Sequence, residues 1–241
     1  MHVHKPKAAH SVRAFLSEIG VIVVGVLIAL SAEQLVDSLH WRERVHAARD
    51  SMRRELLSDD GPQVYQRAVM HPCLIQRLDA IRAAVEANRP RAEIATLIDS
   101  YWLMFLTYNS VAHQEATASD VASHMPRDEM QTFDHIYTQM PPMDRVAERE
   151  GVDFSQLHML KRSGGTLTPD EQDRVLASVE ALRNDDRQMW LSARAIMPDL
   201  RSLGGFDPAP MRHIMRQARE HYGACARDLP GDFPRGLPSD A

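Results

Sequence analysis

The side chains best suited to chemistry crowd the middle of the chain, where His113, Glu115, Asp120, His124, Asp128, Glu129, Asp134 and His135 fall in one short stretch. Imidazoles and carboxylates at that density suggest a metal, but a helical zinc-type site needs two His one turn apart with an acid beside them. No H-x-x-x-H pair occurs, and His113-Gln114-Glu115 puts its two groups on different helical faces. Capping and surface pairing are therefore expected. His213, His221 and Cys225 share one side of a predicted helix, yet the two His lie two turns apart and lack a fourth ligand. His2, His4 and His10 sit on a basic tail without an acid or Cys partner and read as solvated. Ser163-Gly164-Gly165 reads as a hinge or helix C-cap, because the G-x-x-x-x-G-K frame of a phosphate loop is missing. No catalytic, metal or cofactor-binding residue is assigned, and the chain is not expected to be an enzyme.

Positioning such groups falls to helices, and one stretch organises the rest. Residues 19–32 (IGVIVVGVLIALSA) are uncharged, and the pattern runs on without a helix breaker into QLVDSLHWRERVHAARDSMRRELL. One continuous helix is predicted, its first half suited to a bilayer and its second half to water. The uncharged run is shorter than the roughly 18 to 20 residues a bilayer core requires. Residues 14–32, in which only Glu18 is charged, reach roughly 28 Å at about 1.5 Å per residue, which is enough. A cleaved export signal is the competing reading, with Lys5, Lys7 and Arg13 ahead of the run and small residues near 29–32 to cut. Glu18 inside the apolar core weighs against it.

The faces of this helix differ. Glu18, Ile22, Gly25, Ala29, Ala32 and Glu33 form one stripe, opposite Val23, Val24, Leu27 and Leu30. Gly25-x-x-x-Ala29 lets two backbones approach closely in lipid, so the stripe is the expected helix-association surface. Glu18 and Glu33 either turn inward in an oligomer as a proton or cation path or mark the two interfaces without chemistry. Trp41 stands where an interfacial anchor belongs. Val45, Ala48, Met52 and Leu56 follow at coiled-coil spacing, a seam that serves either a stalk between subunits or the packing of the chain's own domain. Between them lies a charged face in which Asp50 is placed to pair with Arg53 or Arg54.

Ser58-Asp59-Asp60-Gly61-Pro62 is expected to end this rod and open the next helix, with Asp60 or Gly61 as cap. That next helix, residues 62–88, is expected to kink or split at Pro72. Residues 94–108 (IATLIDSYWLMFLTY) read as the central core helix, its aromatics Tyr101, Trp102, Phe105 and Tyr108 serving as core or lining a ligand pocket. A helix, a break at 123–126 and a second helix ending before Pro141-Pro142 come next. Residues 143–163 are then a separate helix, broken near Gly151. Thr168-Pro169-Asp170-Glu171 is a capping box opening a helix that Pro198 ends or kinks. Asp207-Pro208 opens the last helix, to about Cys225. Cys73 and Cys225, the only cysteines, are either free thiols or one disulfide.

The net charge of −5 and the near-replacement of Lys by Arg come without a basic patch interleaved with aromatics, so nucleic acid is not an expected partner. The run Glu18-Ile19-Gly20-Val21-Ile22-Val23-Val24-Gly25-Val26-Leu27-Ile28-Ala29-Leu30, followed by a polar helix closing on Arg54-Glu55-Leu56, resembles the N-terminal signature of a large family of bacterial single-pass membrane proteins described only as a domain of unknown function. A middle segment from Tyr108-Asn109-Ser110 through Ala122-Ser123-His124-Met125-Pro126 to Ile136-Tyr137 is similar to that family too. The chain departs from the pattern in lacking a Gly at the Ala122-Ser123 turn. The resemblance implies a membrane location and a helical domain, and carries no activity with it.

The expectation is an all-α protein: a basic tail (1–13), a transmembrane anchor (14–39) continuing into a stalk helix (40–60), a soluble helical domain (61–227) and a tail (228–241). The lipid bilayer is the expected partner, with a homo-oligomer or other membrane subunits. A membrane-anchored scaffold that self-associates through its anchor is the favoured function, and a small-ligand sensor or accessory subunit is the alternative. The positive-inside count mildly favours a cytoplasmic domain, whereas a short basic tail ahead of the first apolar segment favours export. The expected location is the bacterial inner membrane with the domain in the periplasm.

Overall fold

A computed structural model describes residues 12–104, 106–159 and 165–227, and every regular element among them is helical. A long apolar N-terminal helix followed by a helical bundle is thus the architecture. The chain divides into two compact units, Met1–Ala47 and Ala48–Ala241.

The described part of the first unit lies in helix α1 (Val12–Arg54), whose apolar window has a mean hydropathy of 2.3 and is 0% buried. Residues 1–11 of the basic tail, its His residues among them, lie outside the described residues, as do Phe105, Ser163, Gly164 and the C-terminal tail.

The second unit begins with the rest of α1. A π-turn (Glu55–Asp60) joins it to α2 (Gly61–Glu86), so the break expected at 58–62 is a change of helical pitch. The Gly61 N–H reaches back to the Leu56 carbonyl, the five-residue step of a π-turn, and Pro62 follows where its missing N–H is least costly. Helices α3 (Arg91–Ser100), α4 (Val111–Ala118), α5 (Arg127–Met159), α6 (Pro169–Ser202) and α7 (Pro208–Tyr222) complete the bundle, with short 3₁₀ turns at Val121–His124 and Gly223–Cys225. Helix α6 lies against both α2 and α5, while α3 and α7 pack on α2.

The helix splits and ends read at three proline sites are absent for one reason. Pro72, Pro141, Pro142 and Pro198 all lie inside continuous helices. None of the four is buried, so water can serve the carbonyl that each ring leaves unpaired. Residues 127–159 are accordingly one helix, not two, and Gly151 does not break it.

The expected core helix 94–108 is also corrected. α3 stops at Ser100, and residues 101–104 and 106–110 run as a strap without regular secondary structure. Its buried residues alternate in pairs, Tyr101 with Leu103 and Leu106 with Tyr108. The strap is held by side chains from distant elements. Tyr222 brackets Trp102, its hydroxyl accepting the Trp102 N–H at 2.9 Å and donating to the Trp102 carbonyl. Asp144 of α5 accepts the Tyr108 N–H at 2.9 Å, and Asp60 accepts the Asn109 N–H at 3.1 and 3.3 Å.

The remaining signals are realised locally. Thr168 and Glu171 form the capping box, and Asp207 Oδ1 accepts the Ala209 N–H at 2.9 Å. Asp120, ahead of the 3₁₀ turn Val121–His124, takes the left-handed conformation (φ 62°), which its residue type tolerates.

Candidate functional site

Three helices carry a core seam at alternating spacings of three and four. On α2 it is Val64, Arg67, His71, Leu74, Leu78, Ile81 and Val85. On α5 it is Phe133, Ile136, Met140, Met143, Ala147, Glu150, Phe154 and Leu157, and on α6 it is Val175, Val179, Leu182, Asp186, Met189, Ala193, Ile196 and Leu200. Each seam is apolar except where the three meet. There Arg67 Nη2 donates to Glu150 Oε1 at 2.5 Å and to Asp186 Oδ1 at 3.2 Å. These side chains are 1–2% exposed.

A second layer leads outward. His71, one turn after Arg67, places Nδ1 2.6 Å from Asp186 Oδ2 and stacks on Trp190, ring centroids 5.0 Å apart. The Arg194 guanidinium lies 5.4 Å from the Trp190 ring. Beside the cluster, Arg149 holds the neighbouring carboxylate of Asp185 at 2.7 Å.

The electrostatics follow from burial. Desolvation disfavours the Glu150 carboxylate more than Arg67 favours it, which lifts its pKa to about 7. Burial by itself would make Arg67 easier to deprotonate, but the Glu150 and Asp186 carboxylates outweigh that and hold it charged. Nε and Nη1 of Arg67 and the Tyr101 hydroxyl are buried without a hydrogen-bond partner in the protein. Among the described residues His71 meets a carboxylate and an indole but no hydroxyl or thiol. The cluster ties α2, α5 and α6 to one another where their seams meet, with the Tyr101 and Tyr108 phenols beside it.

The residues singled out from the sequence fall elsewhere. Of the association stripe, Glu18, Ile22, Gly25, Ala29, Ala32 and Glu33 are all exposed. A Cβ added to Gly25 would meet nothing within 4 Å. Trp41 is half-buried, with the Arg44 guanidinium 4.5 Å from its ring. In the seam, Val45 is buried, Ala48 is half-buried, and Met52 and Leu56 are 0% exposed. The charged face between them pairs outward from α1: Arg49 forms a bidentate pair with Glu129 at 2.5 and 2.6 Å, and Arg53 donates to the Leu203 carbonyl.

The dense middle stretch is dispersed into pairs. His113 binds Asp134 at 2.8 Å and stacks on Tyr137, while His135 binds Asp199 at 2.5 Å. Among the described residues no group of three or more His, Cys, Asp or Glu is arranged to hold a metal ion. His221 stacks flat on Trp102 at 3.9 Å, and Cys225 is bonded to Cys73, 152 residues away, with Cα atoms 5.8 Å apart. The question of free thiols or a disulfide is thus resolved as a disulfide.

Sequence reasoning passed over Arg67, Glu150 and Asp186. The available signal was register: Glu150 and Asp186 stand at seam positions where the neighbours three and four residues away are mostly apolar, and half of those around Arg67 are. No family model matches this chain, no curated protein is similar to it, and no solved structure matches it.

Proposed function

We propose that this chain is a membrane-anchored helical scaffold that self-associates through α1, with its bundle in the periplasm of a bacterial cell. One observation carries the reading. Along one helix, Phe15, Leu16, Ile19, Val21, Ile22, Val23, Val24, Val26, Leu27, Ile28, Leu30, Leu35, Val36 and Leu39 are 41–72% exposed, far more apolar surface than a soluble monomer leaves in water. Hydrocarbon is the solvent that removes the cost, at about 25 cal/mol per Å².

Self-association rests on the small-residue side of the same helix. Gly25 has no neighbour in its own chain that demands a glycine, so its smallness is left for another helix to use. The Cys73–Cys225 bond supports the outer side of the membrane, because disulfides persist in oxidising compartments. The resemblance to single-pass membrane proteins supports the membrane location.

The test is the particle mass in mild detergent. A defined homo-oligomer is expected, falling toward monomer in Gly25→Ile, which fills the close-approach position. A monomeric wild type that copurifies with unrelated membrane subunits would replace the scaffold with the accessory-subunit reading.

A further inference from the structure

Three carboxylates close on one bend of the chain, the step from the strap into α4. Asp60 takes the Asn109 N–H on both oxygens, Asp144 takes the Tyr108 N–H, and Glu55 takes the Ala112 N–H at 3.1 Å and the Tyr137 hydroxyl at 2.8 Å. Glu55 and Asp60 are the two ends of the π-turn, and Asp144 comes from α5. Asp60 is 0% exposed. The charges that bear on it are Glu55 and Asp59 from its own turn and Asp144 from α5, all acidic. The other titratable groups at the bend are the phenols of Tyr108 and Tyr137, His113 of α4, which stacks on Tyr137 at 4.7 Å and pairs with Asp134 of α5, and Arg67, which acts on Tyr108.

We propose that this bend is a proton-operated clasp: protonated Asp60 holds the strap end against the π-turn, and ionised Asp60 lets residues 108–112 open locally. A neutral carboxyl keeps a carbonyl oxygen to accept the Asn109 N–H, so protonation leaves the contact intact. An ionised one is a buried charge among like charges, which the chain relieves most cheaply by letting water in. The opening is local because the outer side of the bend is already wet: Val111 is 65% exposed, and Thr107 and Asn109 are exposed too. Burial lifts the Asp60 pKa to about 7, which puts the clasp in the neutral range. This inference is independent of the scaffold reading and of the side of the membrane on which the bundle lies.

Amide hydrogen exchange of the full chain in detergent micelles tests it, with rates corrected for the intrinsic pH dependence of exchange. Protection of residues 108–112 is expected to fall about tenfold from pH 6 to pH 8, the change for a carboxyl that titrates near 7 when clasped and in the ordinary range when open. In Asp60→Asn the protection is expected to be independent of pH. Equal protection of the wild type at both pH values, or an unchanged fall in Asp60→Asn, would overturn the proposal. Should that variant not fold, the carboxyl ¹³C resonance of Asp60 in the wild type decides. Titration in the neutral range supports the clasp, and titration in the ordinary acidic range rejects it.

Discussion

Arg67 is the residue whose loss the bundle can least absorb. Its guanidinium is the common partner of Glu150 and Asp186, and both carboxyls are inaccessible to water. Arg67→Met strands two buried acids and is expected to cost about 3–5 kcal/mol. Thermal unfolding in detergent should register that as a drop on the order of 10 °C for a unit of this size. Adding Glu150→Leu and Asp186→Leu is expected to recover most of the loss, since an apolar set can replace a buried ion cluster. A triple variant no better than Arg67→Met would mean that shape, not charge, is what Arg67 supplies.

The same buried acids set the pH dependence of stability. Glu150 and Asp60 have folded pKa values near 7, above the ordinary carboxyl range because burial disfavours their charge. A group raised in this way contributes stability that is complete below its unfolded value and is lost as pH rises toward the folded one. The slope is on the order of 1 kcal/mol per pH unit per group. Glu171 works oppositely: the Arg91 guanidinium lowers it to about 2, so its contribution is present above the ordinary range and disappears only in strong acid. The melting temperature is expected to be higher near pH 5 than near pH 8, and a scan that climbs instead across that interval would contradict the assignment.

At the level of elements, the π-turn is the piece that substitution should disturb most. Gly61 has ordinary helical backbone angles, so its glycine is required by space and not by conformation. A Cβ there would lie 2.3 Å from the Leu56 carbonyl oxygen and 2.6 Å from the Phe206 ring. The ring can yield, but the carbonyl belongs to the turn itself. Gly61→Ala is expected to destabilise the bundle by about 1–3 kcal/mol, even though Ala is the better helix former. Gly25→Ala, with nothing within 4 Å, serves as the matched control and should leave the bundle's unfolding midpoint unchanged.

For the whole molecule, the disulfide ties the end of the bundle to its first full helix. Cys73 sits 1% exposed in the core cluster that α2 shares with α3, α6 and α7, and its partner follows α7 directly. Closing so long a loop stabilises by about 2–5 kcal/mol, so the bond belongs to the folded state and not to a passing oxidation. Thiols trapped by acid quench and alkylation in intact cells are expected to show Cys73 and Cys225 both blocked from the reagent unless first reduced. Two free thiols in freshly quenched protein would place the bundle on the reducing side of the membrane.

Local pattern alone determined the helical class, the apolar α1 and the Thr168 and Asp207 caps. These depend on neighbours within a turn or two, which is the range that periodicity and capping chemistry cover. Tertiary structure decided the rest. The prolines were tolerated because of which face each occupies, and residues 101–104 and 106–110 are not helical, where Tyr222, Asp144 and Asp60 capture the backbone groups of Trp102, Tyr108 and Asn109 from far along the chain. The meeting of Arg67, Glu150 and Asp186 was half visible, as polar residues standing in apolar seams. Which three seams face one another is a property of packing, and no local spacing encodes it.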